Sequence, residues 1–256
     1  MQNALLFINN VVHPQENMIA ISEFKNIFNQ ASERILSAFD SAAIQTGGQV
    51  TPPQLIEAMN QFFAIFEKLD TEHGESALIL EDDINQMSEH ANGILLDLSV
   101  WADRLKLPKE KAALEQVSLG TAHWAIRHQG EIRILEPVVN ALAAKANLTT
   151  DKEALTSLFH VINDVIEHVS PGIKSDLEKS DPTRPWRILN FNFAIVATRT
   201  LNPTLMAKAF DTLGRNLPDD CPDFFEEGLK QAEKPGYGPE IKAMMKEYFT
   251  KWTTRH

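Results

Sequence analysis

Residues 185–217 read PWRILNFNFAIVATRTLNPTLMAKAFDTLGRNL, and this stretch decides the fold class of the chain. It predicts two helices joined at a tight corner, Leu201-Asn202-Pro203. The side chain of Asn202 can accept hydrogen bonds from the first backbone N–H groups of the second helix, and Pro203 suits the first helical position. Apolar residues then recur every three or four positions, which is the spacing that buries one face of a helix. We therefore predict a helical hairpin.

The same kind of pattern continues on both sides of this hairpin. Helix start signals fall near residues 170, 184, 202, 219 and 238, so two helices occupy about 36 residues, close to a two-helix repeat. Further upstream, 150–153 predicts a capping box with Thr150 as the cap, and Pro137 either kinks a helix or marks its start near Glu136. Residues 189–193 alternate with period two but have no partner strand, so we predict a helix there. Because apolar residues surround most of it, we expect the most buried helix of this half.

The first half predicts three longer helices. The first runs from Ser22 to a stop at Gly47-Gly48, the second starts after a Thr51 cap, and the third covers about 75–105. The third helix carries an apolar seam with alternating steps of three and four, formed by Ile84, Met87, Ala91, Ile94, Leu98, Trp101 and Leu105. Such a seam either closes an intramolecular bundle or joins two chains in a structural homodimer.

Charge divides the chain at about the same place as the helix pattern. The formal net charge is −11, and residues 1–107 hold 15 acidic against 5 basic side chains, whereas 108–256 hold 20 against 19. We therefore predict two domains, an acidic helical bundle over 1–107 and a helical-repeat region over 108–256. The overall negative charge disfavours nucleic acid as a partner. No apolar run is long enough for a membrane span, and the single cysteine, Cys221, excludes an internal disulfide, so we expect a cytoplasmic protein.

The second half resembles the tetratricopeptide-type helical repeats. The resemblance covers roughly residues 110–250 and rests on the repeat length together with Leu119-Gly120, His123-Trp124, Gly130 and Ala141-Leu142-Ala143. It implies an all-α protein in which antiparallel helical hairpins stack as a superhelix after the N-terminal bundle. It also implies a non-enzymatic interaction scaffold with a groove that holds a protein or peptide partner.

Two clusters of polar side chains suggest where a partner would bind. The first comprises Arg184, Arg187, Asn190, Asn192 and Arg199 at the helix from 185, whose guanidinium and amide groups suit an anionic peptide group. We expect Arg187, Asn190 and Arg199 to contact the partner. The second combines His123 and Arg127 at a spacing of four residues, beside an aromatic residue. The alternative interpretation is that these arginines only form structural ion pairs, with Asp181 and Asp211 as the nearest acidic candidates.

A third cluster suggests a metal-dependent enzyme as the alternative function. His160, Asp164 and His168 follow one another at steps of four, so one helix face holds three possible ligands for iron or another divalent metal. This arrangement is similar to the haem-oxygenase-like diiron carboxylate proteins. That resemblance implies further ligands at Asp83 and His90, and an acid, Glu131 or Glu136, that lies in the chain between this pair and His160. No catalytic residue is predicted otherwise, because Cys221 lies next to carboxylates that disfavour a thiolate.

Overall fold

The computed structural model of the chain describes residues 21–42, 47–72, 81–233 and 236–254. Within these ranges the chain is all-α, as predicted, and its only β feature is an isolated bridge between Ile132 and Val169. The helices of the described residues are α1 Ile21–Ala42, α2 Pro52–Glu72, α3 Glu81–Arg104, α4 Pro108–Arg127, α5 Glu136–Leu148, α6 Lys152–His168, α7 Pro171–Lys174, α8 Pro185–Thr200, α9 Pro203–Asn216, α10 Cys221–Ala232 and α11 Pro239–Thr253. None of these helices combines the length and the apolar character that crossing a membrane requires.

The helices group into two compact units. The N-terminal unit holds the described residues of 17–142 together with 167–171, and the C-terminal unit holds those of 143–166 and 172–256. In the N-terminal unit α1 packs on α2, α2 on α3, α3 on α4, and α4 returns to α1, which makes a four-helix bundle. The ring of Phe28 lies 5.3 Å from that of Phe63, and Phe66 stacks on Trp124 at 4.1 Å.

The predicted domain boundary at 107/108 coincides with the start of α4. The structure places α4 in the same unit as α1–α3 and divides the chain after Leu142 instead. The reason is a close helix contact, since a Cβ added at Gly120 of α4 would overlap the ring of Phe24 in α1. Gly120 and Trp124, on which the repeat resemblance partly rests, therefore serve the packing of this bundle.

The apolar seam of α3 lies largely inside its own chain. Ile84, Ala91, Leu98 and Trp101 are buried, as an intramolecular bundle requires, whereas Met87, Ile94 and Leu105 are partly exposed. The first six residues of the predicted third helix, 75–80, lie outside the described residues.

The C-terminal unit contains two helical hairpins, α8–α9 and α10–α11, and α9 also packs on α11. Aromatic rings hold the last three helices together. Phe210 of α9 lies 5.1 Å from Phe225 of α10 and 5.0 Å from Tyr248 of α11. The prediction of a helix over 189–193 is confirmed, and Phe193 stacks on Phe159 of α6 at 4.5 Å.

Most predicted helix starts agree with the structure. Asn202 Oδ1 accepts hydrogen bonds from the N–H groups of Thr204 at 3.0 Å and Leu205 at 3.4 Å, as a helix cap does. Of the two possibilities left open by Pro137, the structure has the helix start at Glu136. The capping box was assigned one residue too early, because the carboxylate of Asp151, and not Thr150, accepts the N–H of Ala154 at 2.8 Å.

Candidate functional site

The connection between α7 and α8 is organised by one buried guanidinium. The side chain of Arg184 is 5% exposed and forms a bidentate pair with the equally buried Asp176, at 2.6 and 3.0 Å. Its remaining N–H groups bond to the carbonyls of Lys179 and Asp181 and to Asp220 Oδ2 at 3.1 Å. All five N–H donors of this guanidinium therefore have acceptors. The hydrogen bond to Asp176 also raises the pKa of Arg184, so the group stays charged.

Arg187 extends this arrangement toward the solvent. Its Nε donates to Asp220 Oδ1 at 2.6 Å, and Nη1 donates to the carbonyl of Pro182 at 3.1 Å. We call Asp176, Arg184, Arg187 and Asp220 the Arg184 cluster. The cluster ties the chain before α8 to the start of α10, and Asp176 adopts a left-handed conformation with φ of 49° to take part. The interpretation of the arginines as ion-pair partners therefore holds for Arg184 and Arg187, with different acids from those expected.

The other two residues predicted from this helix also bond within the chain. Asn190 is fully buried, donates to the carbonyl of Trp186 at 2.9 Å and accepts from Asn216 Nδ2 at 2.8 Å. The prediction of Asn190 as a partner contact is wrong for this structure, since no atom of it reaches the surface. Arg199 donates to the carbonyls of Ala146 and Thr149, and it thereby satisfies carbonyls at the end of α5.

His123 and Arg127, the remaining predicted contacts, lie on α4 and so belong to the N-terminal unit. The prediction placed them in the C-terminal half of the chain, whereas the structure assigns them to the N-terminal unit. His123 is half-buried, and Arg127 donates through Nη2 to Asp70 Oδ2 at 3.1 Å.

Asp70 is the centre of a second cluster, which the sequence did not reveal. Its Oδ1 accepts from the indole N–H of Trp124 at 3.1 Å and lies 3.0 Å from His128 Nε2. Because a carboxylate only accepts, the proton of this contact belongs to Nε2 of the imidazole. Asp70, Trp124, Arg127 and His128 form the Asp70 cluster, which joins the last turn of α2 to the end of α4.

The donors of the Asp70 cluster change the acidity of its carboxyl group. Burial raises the pKa of Asp70, but the hydrogen bond from His128 and the charge of Arg127 outweigh burial, so the pKa is lowered overall. These donors also offset the unfavourable position of a carboxylate in the last turn of a helix. The cluster can fix the two helix ends and respond to acid.

The proposed metal ligands belong to both units, and most of them are exposed. His160 and Asp164 are exposed on α6, whose buried face is centred on Ile162, and Asp83 and His90 are exposed on α3. The imidazole of His90 lies 2.7 Å from the carbonyl of Gln86, and His168 is half-buried at the end of α6. Among the described residues, no group of three histidine, cysteine, aspartate or glutamate side chains could hold a metal ion.

A partly exposed apolar row lies on the outside of α8. Phe191 follows Arg187 by one helical turn and Ile195 follows by two, so all three share one face. Ile195 is 45% exposed, and Phe191 is half-buried beneath the guanidinium of Arg187, which lies 4.1 Å from the ring centre. We call these three residues the α8 outer face. Phe224 of α10 continues it, with its ring 5.0 Å from that of Phe191.

The α8 outer face differs from what the apolar pattern of α8 predicted. The pattern indicated burial all round, and the opposite face does bury Leu189, Phe193 and Val196. Phe191 and Ile195 remain partly open because no described helix covers that side completely. The spacing of four residues between Arg187, Phe191 and Ile195 already places these side chains on one face of the helix. The sequence does not show which of the two apolar faces of α8 is covered by a neighbouring helix.

Comparisons with protein families, with characterised proteins and with solved structures give no significant match to this chain.

Proposed function

We propose that this protein is a non-enzymatic helical scaffold that binds a protein or peptide partner through its C-terminal half. The observation that carries the proposal is the α8 outer face, an arginine over an aromatic ring followed by an exposed isoleucine. Arginine and aromatic residues contribute strongly to protein interfaces, because they combine large contact area with directed hydrogen bonds. In this proposal the helical hairpins of the C-terminal half stack in a tetratricopeptide-like manner, which the hairpins α8–α9 and α10–α11 support.

The chemistry of the α8 outer face specifies the partner segment. Phe191 and Ile195 favour an apolar row, and burying the part of each side chain that is still exposed would contribute about 1 kcal/mol. The Nη2 group of Arg187 has no acceptor among the described residues, so it can donate to a carboxylate at the edge of the contact. The expected partner is an amphipathic helix or strand with apolar residues on one face and a carboxylate beside them.

The experiment is capture of partners by purified wild-type protein and by Ile195→Asp, with Val100→Asp as the matched control. Val100 lies on α3 and is 52% exposed, so both variants place a charge at an exposed apolar position. We expect proteins bound by wild type and Val100→Asp to be lost with Ile195→Asp. Binary titration of a recovered protein should then show weakening of at least about tenfold for Ile195→Asp and Phe191→Ala.

Three results would contradict the proposal. One is that wild type, Ile195→Asp and Val100→Asp capture the same set of proteins. Another is that Val100→Asp loses the captured proteins to the same extent as Ile195→Asp. The third is a recovered protein whose affinity is unchanged by Phe191→Ala. A mass increase of the wild type in light scattering that Ile195→Asp abolishes would instead identify a second copy of this chain as the occupant.

A further inference from the structure

A pocket of about 250 Å³ lies between α9 and α11, lined by Asp211, Gly214, Arg215, Lys251 and Trp252. All five residues belong to the C-terminal unit. One wall of the pocket is formed where Gly214 has no side chain, because the ring of Trp252 occupies the space where a Cβ would lie. The glycine thus lets one flat indole rest against the backbone of α9.

The charged residues that line this pocket include more cations than carboxylates. Arg215 is exposed, and its one hydrogen bond among the described residues runs from Nη2 to Thr212 Oγ1 at 2.8 Å. It has no carboxylate partner in the described chain. Lys251 lies 3.5 Å from Asp211 Oδ1 and 5.0 Å from the ring centre of Tyr248. The pocket therefore has two cations and one carboxylate, on a chain whose overall charge is negative.

Asp211 is already engaged by neighbouring donors. Its Oδ1 accepts from the hydroxyl of Tyr248 at 3.0 Å, and the same oxygen faces Lys251. Among the described residues, the guanidinium of Arg215 is therefore the cation of the pocket that faces no carboxylate. A guanidinium matches a carboxylate with two parallel hydrogen bonds, and an indole face accepts a flat apolar group.

We propose that the pocket binds a monoanionic aromatic carboxylate, with its carboxylate on Arg215 and its ring against Trp252. The volume supports this size, since pockets for drug-sized ligands have roughly 300–1,000 Å³ and a cavity of about 150 Å³ holds benzene. A single substituted ring matches this volume. The ligand is either a free small molecule or an aromatic residue with a free carboxylate at the end of a peptide. The site is distinct from the α8 outer face and does not depend on the proposed function.

The test measures binding of two probes to the full chain by fluorine NMR. The probes are 4-fluorophenylacetate and its neutral counterpart, 4-fluorophenylacetamide. We expect affinities in roughly the millimolar to high micromolar range, with the carboxylate bound about tenfold more tightly than the amide. Arg215→Gln should weaken the carboxylate about tenfold and leave the amide unchanged. Arg104→Gln is the matched control, because Arg104 also lies over a tryptophan, Trp101, at 4.3 Å, yet outside this pocket.

A second measurement locates the probe. In a nitrogen-labelled protein the indole N–H signal of Trp252, assigned by Trp252→Phe, should shift on titration while those of the other three tryptophans do not. Two peptides that end in phenylalanine, one with a free C-terminal carboxylate and one amidated, distinguish the two ligand sources. If the ligand is the end of a peptide, the peptide with the free carboxylate should bind more tightly than 4-fluorophenylacetate, and the amidated peptide should not. Equal affinity of carboxylate and amide, no effect of Arg215→Gln, or an unmoved Trp252 signal would each overturn the proposal.

Discussion

The Arg184 cluster and the Asp70 cluster both join chain segments at helix ends, but the charge at the centre is positive in the first and negative in the second. In the C-terminal unit, a guanidinium collects two carboxylates and two carbonyls around itself. In the N-terminal unit, a carboxylate collects an indole, a guanidinium and an imidazole. Each cluster joins chain segments at helix ends, where backbone groups and loops would otherwise be held weakly.

The two clusters differ in how deeply the central side chain is buried and in whether that side chain can change its charge with pH. The central pair of the Arg184 cluster is about 5% exposed, and its guanidinium keeps its charge at all ordinary pH values. The side chain of Asp70 is 27% exposed and can be protonated in acid. An arginine-centred cluster therefore contributes a contact that is costly to break, whereas an aspartate-centred cluster contributes one that depends on pH.

The largest effect is expected from Arg184→Gln. This change leaves the buried Asp176 carboxylate without its cation, and breaking such a pair costs about 3–5 kcal/mol in the free energy of unfolding. Urea unfolding at pH 7 measures the loss, with Arg104→Gln as a control that should cost less than about 1 kcal/mol. Adding Asp176→Asn to Arg184→Gln should restore part of the stability, because it removes the unpaired charge. A loss below about 1 kcal/mol for Arg184→Gln would show that the cluster is not structural.

The thiol of Cys221 provides a reporter beside the Arg184 cluster. Burial raises its pKa to about 12, with a further contribution from the carboxylate of Asp220, so the native thiol should react slowly with an aromatic disulfide at pH 8. Arg184→Gln should accelerate labelling on the order of 10²–10³-fold, since opening becomes easier. Asp70→Asn should change the labelling rate by less than about threefold. Equal acceleration in both variants would mean that the two units open together.

Asp70→Asn is expected to cost about 1.5–3 kcal/mol at pH 7, because hydrogen bonds to a charged acceptor are replaced by weaker ones. The pKa of Asp70 is lowered in the folded protein, so its stabilising effect is complete above the unfolded value of about 4 and is lost as the pH falls through the folded value. The difference in unfolding free energy between wild type and variant should therefore shrink between pH 5 and pH 2, where other carboxylates affect both chains alike. A difference that stays constant over this range would contradict the assignment.

Local features of the fold could be predicted from the sequence, because their causes lie within a few residues. The Asn202 cap and the prolines that begin α8, α9 and α11 are examples. The assignment of Thr150 as a cap failed at the same scale, since Thr150 and Asp151 both suit the role and only the backbone geometry selects between them. Element positions were thus more secure than individual contacts.

Contacts over long sequence distances could not be predicted. Trp124 and Asp70 are separated by 54 residues, and nothing near Asp70 in the sequence indicates that three donors will surround it. In the same way, the periodicity of α4 does not show that Gly120 lets α1 approach closely, so the fourth helix of the bundle was assigned to the wrong side of the boundary. The arginine and histidine side chains were recognised as important, but their acidic partners within the chain were not.

The smallest expected effects come from the outer arginine of each cluster, compared as Arg187→Ala and Arg127→Ala. Their side chains are 24% and 23% exposed, and each pairs with one carboxylate of its cluster. Without Arg187, Asp220 still accepts from the guanidinium of Arg184, whereas without Arg127 the carboxylate of Asp70 keeps only the indole and imidazole donors of its cluster. We therefore expect a cost of about 0.5 kcal/mol for Arg187→Ala and about 1 kcal/mol for Arg127→Ala in low salt, both reduced in 1 M salt by screening. Urea unfolding at the two salt concentrations measures this order. A larger cost for Arg187→Ala than for Arg127→Ala would mean that the segment between α7 and α8 depends on Arg187 more than on the buried guanidinium of Arg184. The Arg184 cluster would then have its centre at the surface.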